Sequence, residues 1–386
     1  MQSMKPTYYD VLKERDTGLD PGLLEYVRRD IQALEENDFG RPVRSPDDVD
    51  ELTDNYRLYI KNYLEGIVES VRQSMLDAGM GPEMAKMAER QFLESPDIRQ
   101  AEQSCTLDYL SVLNFELYNK KTFYISNSLA EHLTQTKLDA PSEYVRLPFP
   151  SCLFFYTEHE VIRAFSRVVD RQPDLSVPIS VFASSVPAEE GDRKIILACW
   201  QADHERNLAA TKRELLVRED WSIERMLKTD WHDIYELEEG PDDSDFYGGG
   251  NLDFFRTVLN TILYLASNDP DIVEKLSDRE NIVERIKNTK SNAKLRKLRK
   301  RAKSLSALDY KLVGSGTDQI EVRKPSQSGN QQGVKTNKRA KRILVRGHWR
   351  NQPYGEGMSK RKLIWIKPYY KGPDMAEVVN KPYDVK

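Results

Sequence analysis

Apolar positions recur at helical spacing through the first hundred residues. Asp20-Pro21 supplies an N-cap with Pro at the first helical position and predicts a helix from Leu23 to Glu36. Ser45-Pro46 repeats the signal and predicts a longer helix. Its apolar positions (Val49, Leu52, Tyr56, Tyr59, Ile60, Tyr63, Leu64, Ile67, Val71 and Met75) keep helical spacing up to a stop at Gly79. A third helix is expected from Pro82 to Leu93. The tyrosine-rich stripe of the second helix reads either as core or as a groove for a partner.

From about 105 to 275 the pattern becomes mixed. Thr122–Ile125 reads as a short strand, followed by a helix capped at Asn127 or Ser128 and running through Leu133. Leu147–Tyr156 enters another strand. Pro178–Ala183 and Lys194–Trp200 are short apolar runs bounded by turn residues, which predicts buried strands joined as a hairpin across the 186–192 loop. An acidic, glycine-rich connector, Glu236 to Gly250, leads to an apolar helix over Leu252–Ala266.

Asp278 to Leu308 reads as helical and increasingly basic. Leu295, Leu298, Ala302 and Leu305 keep a narrow apolar seam, while seven of the ten residues Lys294–Lys303 are Lys or Arg. Residues 314–338 read as a flexible linker of Gly, Ser, Gln, Asn and Lys. Two strands then follow. Alternation along Ile343–Arg350 puts Ile343, Val345 and Trp349 on one face with Gly347, and Leu344, Arg346, His348 and Arg350 on the other. Along Arg361–Lys367, Leu363, Trp365 and Lys367 oppose Lys362, Ile364 and Ile366. The ten-residue connection between the strands, with Pro353, Gly355 and Gly357, is long for a hairpin and is expected to be a binding loop.

Composition changes this picture mainly through charge. The net charge of -4 conceals a strong asymmetry. Residues 1–286 carry 32 Lys+Arg against 55 Asp+Glu, and residues 287–371 carry 24 against 4. The basic segment would attract phosphate in a salt-sensitive manner. Alternatively the acidic body could fold against its own basic tail. No apolar run approaches the ~20 residues of a bilayer span, and the start of the chain lacks an apolar signal core. A cytoplasmic protein is therefore expected. Cys105, Cys152 and Cys199 are odd in number and widely spaced, which reads as reduced thiols.

Candidate chemistry concentrates at the basic end. Lys294, Arg296, Lys297, Arg299, Lys300, Arg301 and Lys303 on the helix form one candidate nucleic-acid-binding set. Arg346, His348, Trp349, Arg350, Lys360 and Arg361 in the strands form the other. An Arg-x-His-x-Arg row with Tyr354 also contains parts used by metal-independent ribonucleases: a titratable imidazole, cations for the scissile phosphate and a phenol. A lone His is not a proton-transfer pair, so His348 equally reads as structural. No metal-site spacing, phosphate loop or dinucleotide fingerprint is present in the sequence, and no cofactor is expected.

Lys341-Arg-Ile-Leu-Val-Arg-Gly-His-Trp-Arg350, the Gly355/Gly357 loop and the Trp365 strand resemble a family of phage- and plasmid-borne proteins that includes a type V-A anti-CRISPR protein. Leu263–Ile272, the Thr122–Ile125 strand with its following helix, and Pro178–Ser184 are similar as well. The resemblance covers roughly residues 105–370. It implies a mobile-element-encoded inhibitor acting in evasion of host defence by translation interference. The anti-CRISPR member of that family recognises the N-terminal polypeptide of the nascent CRISPR nuclease, and loss of the message follows. It therefore implies a protein partner, in that case a nascent effector chain, with RNA or the ribosome nearby.

These readings predict an α+β protein with a helical region (1–104), a central mixed α/β domain (105–277), a basic helix and linker (278–341) and a basic C-terminal β element (342–386). The expected function is a non-catalytic inhibitor or regulator that binds a protein target and, through its basic arm, RNA or ribosome. The alternatives are a ribonuclease-like enzyme using His348, Arg346, Arg350 and Tyr354, and a general nucleic-acid-binding protein of a phage or plasmid.

Overall fold

The computed structural model describes residues 4, 5, 7, 9, 23–37, 46–93, 95–188, 192–202, 208–219, 221–228, 252–317, 322–323 and 343–371. The Asp20-Pro21 cap, the acidic connector and most of the expected linker lie outside the described residues.

Seven strands form one mixed sheet: β1 (Thr122–Ile125), β2 (Ser151–Tyr156), β3 (Ile179–Pro187), β4 (Arg193–Ala202), β5 (Leu208–Val217), β6 (Ile272–Lys275) and β7 (Tyr310–Val313). Their order is β5-β4-β3-β2-β1-β7-β6. β1 lies parallel to β2 and to β7, and the remaining pairs are antiparallel. The hairpin expected across residues 186–192 is β3–β4. With helices gathered at the N-terminal end and around this mixed sheet, the protein is α+β, as its sequence predicts.

Helices cover both faces of the sheet. They are α1 (Leu23–Asn37), α2 (Pro46–Asp77), α3 (Pro82–Leu93), α4 (Pro96–Leu117), α5 (Asn127–Thr134), α6 (His159–Val168), α7 (Leu252–Ala266), α8 (Asp278–Lys287) and α9 (Asn292–Lys303). Strand alternation assigns the faces. Phe123, Phe154, Tyr156, Val181 and Leu197 point to one side, where they pack with Leu133 of α5, Phe165 of α6 and Phe254 and Ile262 of α7. Leu153, Phe182, Ala198 and Trp200 point to the other, against Val27, Tyr56, Ile60, Tyr109 and Leu113 from α1, α2 and α4. Every residue of β2 is buried for this reason. A strand covered on both sides loses the polar half of its alternation and reads as a continuous apolar run.

Local signals explain the element ends. Gly79 adopts φ +88, and Met80 N–H donates to Met75 O at 3.0 Å, closing α2 with a left-handed C-terminal glycine. Ser126 caps α5 by accepting from Leu129 N–H at 3.3 Å. The basic helix expected as one piece from 278 to 308 is broken in two. Residues 288–291 turn the chain, and Ile282 and Ile286 of α8 pack with Leu298, Ala302 and Leu305, three of the four seam positions read from the sequence. Two short elements sharing a seam bury it against each other, which one straight helix could not do.

α4 and β5 meet through a buried ion pair. Lys212 of β5 bonds Asp108 of α4 at 2.6 Å, with both side chains under one-tenth exposed. The ammonium also donates to Ser104 O at 2.9 Å and lies 4.9 Å from the Trp200 ring centroid. Burial pushes the Asp108 carboxyl up to about 7, and the neighbouring ammonium offsets part of that rise.

Candidate nucleic-acid interface

The C-terminal block is a set of short strands: β8 (Val322–Arg323), β9 (Ile343–Val345), β10 (His348–Tyr354), β11 (Lys360–Ile366) and β12 (Tyr369–Lys371). β10 and β11 pair antiparallel, with Trp349 opposite Trp365 and Tyr354 opposite Lys360. β9 pairs instead with β12, which also carries β8. The single strand expected over Ile343–Arg350 is thus interrupted at Arg346-Gly347.

The interruption has a physical cause. Gly347 N–H donates to Gln135 O at 2.9 Å, and Gly347 O accepts from Lys137 N–H at 2.8 Å, so the chain leaves one sheet to bridge the end of α5. A Cβ at Gly347 would stand 2.6 Å from Thr136 Oγ1 and 2.9 Å from Ile366 O. Only glycine permits this approach. The adjacent Trp349 is 4% exposed. Its indole N–H donates to Asn260 Oδ1 at 2.7 Å, and its backbone N–H donates to Asp139 Oδ1 at 3.0 Å. Asn260 completes its bonds by donating to Leu133 O and Thr136 O at 3.1 and 3.0 Å. Trp365 donates to Thr136 Oγ1 at 3.1 Å and lies edge-on to Tyr264 at 5.4 Å. Gly347 and Trp349 of the motif, with Trp365, therefore latch the hairpin to the end of α5 and to α7. A buried amide with all its groups paired is costly to disturb.

Because the inner face of the hairpin (Trp349, Leu363 and Trp365) belongs to the main core or packs against it, its outer face is presented on a rigid support. That face alternates as the sequence predicts. His348, Arg350, Gln352 and Tyr354 stand on β10, and Lys360, Lys362, Ile364 and Ile366 stand on β11. Arg350, Lys360 and Tyr354 are exposed, and His348 and Lys362 are half-buried. Lys362 Nζ lies 5.5 Å from the Tyr354 ring centroid. Residues 343–371 hold seven Lys or Arg and a single acid, Glu356. The connection between the strands is tighter than its expected ten residues. Pairing extends to Tyr354 and resumes at Lys360, leaving residues 355–359 to turn through Gly355 and Gly357 at positive φ. It is a hairpin turn, with Met358 exposed at its tip.

The expected binding residues separate into two surfaces on different supports. Lys294, Arg296, Lys297, Arg299, Lys300 and Arg301 are all exposed on α9, which rests on α8. Among the described residues none of these six cations takes part in an ion pair. The Lys303 side chain lies outside the described residues. Arg346, Arg350, Lys360 and Arg361 are exposed on or beside the hairpin, whereas Trp349 faces the core. His348 and Tyr354 sit at opposite ends of β10. Six residues of strand separate them by about 20 Å, too far for both to reach one phosphate. Lys362, which alternation places on the outer face, joins this set. The latch residues Asn260, Thr136 and Asp139 carried no sequence signal, since their role depends on contacts across more than 80 positions.

No group of three or more metal-ligating side chains is found among the described residues, and no helix there is long and apolar enough to cross a membrane. All three cysteines are buried as free thiols, and burial pushes the Cys152 thiol up to about 12.

The fold and site define an α+β protein whose latched C-terminal hairpin presents a cationic face. Comparison with protein families places it further. The model of the AcrVA2-like family, the anti-CRISPR type V subtype A2 family, matches residues 123–370, which is more than half of the chain. The chain belongs to that family. The matched segment begins in β1 and ends in β12, so it contains the whole sheet and the latched hairpin, while α1–α4 precede it. No match is found among curated proteins or solved structures.

Proposed function

We propose that this protein is a non-catalytic, mobile-element-encoded inhibitor of a type V-A CRISPR effector. It binds a protein target, a nascent effector chain, while its basic C-terminal surfaces hold RNA or ribosome. Family membership supports an anti-CRISPR role and a protein partner. The observation that carries the RNA-binding half is the pair of exposed cationic surfaces on α9 and the hairpin, the first with no ion pair among the described residues. Protein surfaces carrying this excess of one charge draw polyanions in a salt-dependent way. The separation of His348 from Tyr354 supports binding over ribonuclease chemistry, because catalysis needs base, cation and acid around one phosphate.

The test is a pull-down of tagged protein from cells expressing the effector, with and without ribonuclease, read for both protein and RNA. Recovery of ribosomes or the effector message together with nascent effector is expected. Recovery of bulk nucleic acid alone, lost at high salt, would overturn translational interference and leave a general polyanion binder. Cleavage of RNA by wild type but not by His348→Ala would overturn the non-catalytic reading.

A further inference from the structure

The outer face of the β10–β11 hairpin combines features that α9 lacks. It is held from behind by the Trp349–Asn260 latch, and it carries an aromatic ring in the open. Tyr354 is 43% exposed, and its hydroxyl has no hydrogen-bond partner among the described residues. On the same face Lys360 lies opposite Tyr354 and Lys362 diagonal to it, with Arg350 four residues back along β10, and Lys362 forms a cation–π contact with the ring. Ile364 and Ile366 extend the face as half-buried apolar surface.

An exposed tyrosine in a strand gains nothing from water on its ring. Among cations it is a surface on which an unstacked base can lie while its phosphates are neutralised. A duplex offers only phosphates and groove edges to such a face, because its bases already stack on each other. An acidic peptide would use the cations and leave the ring idle. We propose that this face binds single-stranded nucleic acid, with one base stacked on Tyr354 and the flanking phosphates held by Arg350, Lys360 and Lys362. This rests on the RNA-binding half of the reading above and names the surface and the strandedness of the ligand. Trp349 and Trp365 are assigned to the latch and take no part in stacking.

Fluorescence anisotropy of the full chain with labelled oligouridylate, its deoxy counterpart and a duplex of equal length tests it. Tyr354→Ala is expected to weaken single-strand binding by about tenfold, within the range for loss of one base–aromatic stack, with an unchanged salt slope. Tyr354→Phe is expected to bind as wild type. Lys360→Ala with Lys362→Ala should flatten the salt slope. Tighter binding of RNA than DNA would assign the ligand to RNA, and equal binding would leave the sugar unread; either supports the stacking face. Unchanged affinity of Tyr354→Ala, with binding abolished by charge reversal on α9, would overturn this proposal and leave RNA binding intact. Tighter binding of the duplex, insensitive to Tyr354→Ala, would overturn it in favour of a ribbon in the major groove. Absence of binding by the wild type would overturn both the proposal and the RNA-binding half of the functional reading. Thermal unfolding of each variant, expected at the wild-type midpoint because the positions are exposed or half-buried, separates lost binding from lost fold.

Discussion

Gly347 and Trp349 show how a motif that looks like binding chemistry can be architecture. The arginines beside them point outward, but Gly347 is confined between Thr136 Oγ1 and the backbone of Ile366, and Trp349 is bonded to a fully buried amide. Gly347→Ala is expected to destabilise the protein by about 1–3 kcal/mol, the usual cost of forcing atoms into a packed site, because a backbone carbonyl cannot rotate away as a side chain could. Trp349→Phe keeps most of the apolar surface but leaves Asn260 Oδ1 buried without a donor, at a cost of about 1–3 kcal/mol. Urea unfolding midpoints check both. Asp108 carries a different expectation. Its folded carboxyl is raised to about 7 from about 3.9 in an unfolded chain, so folding favours the protonated form. Its contribution is full below the unfolded value and is lost as pH rises through about 7. Asp108→Asn should therefore remove the fall in stability between pH 4 and pH 8 that this carboxyl contributes, read as the difference between the two proteins' pH profiles so that the other carboxylates cancel. Identical pH profiles for the two would refute the assignment.

Helix α2 contains both what a sequence pattern can reveal and where it stops. Its apolar stripe is continuous in sequence, yet Val49, Leu52, Tyr56 and Ile60 are buried while Tyr63, Ile67 and Val71 are exposed. Periodicity identified the helix and its stop at Gly79, but burial along it depends on where α1 and α4 end, which no local pattern encodes. Gly66 lies in the distal half with nothing within 4 Å of an added Cβ. Gly66→Ala is thus expected to stabilise the protein by about 0.5–1 kcal/mol, from helix propensity alone; destabilisation in thermal unfolding would show that something packs there. α4 escaped the pattern for the opposite reason. From Cys105 to Phe115 every residue except Leu110 is buried, so no polar face remains to mark the helical period. β5 was hidden by Lys212 and Arg213, charged residues buried on opposite faces of one strand. Each is held by partners distant in sequence, Asp108 for one and the Leu227 carbonyl with the Phe255 ring for the other. The hairpin was legible because only one of its faces is covered. Its alternation survives, and with it the split between latch and outer surface.

The whole chain is polarised, with an acidic body and a basic end. Either the two neutralise each other or the basic end is kept for an outside polyanion. The six exposed cations of α9 are where these can be told apart by experiment. If they served to neutralise the body, acidic side chains would lie against them; among the described residues none does. Replacing Lys297, Arg299, Lys300 and Arg301 with Glu is therefore expected to change the unfolding free energy by no more than about 2 kcal/mol, about 0.5 kcal/mol for each surface substitution. The same change should abolish RNA binding, or lower the slope of log affinity against log salt by about 0.7 for each phosphate of a single strand that is no longer neutralised. Two helices joined along the Ile282–Leu298 seam keep their packing under this change, since the seam residues are untouched. A large fall in stability with RNA affinity intact would mean that α9 is the counter-charge of the body, and would leave the hairpin as the sole polyanion surface. A loss of affinity with stability intact places the polarity of the chain in the service of binding: α9 gathers the phosphate backbone by charge, and the hairpin holds it on a surface that the core keeps rigid.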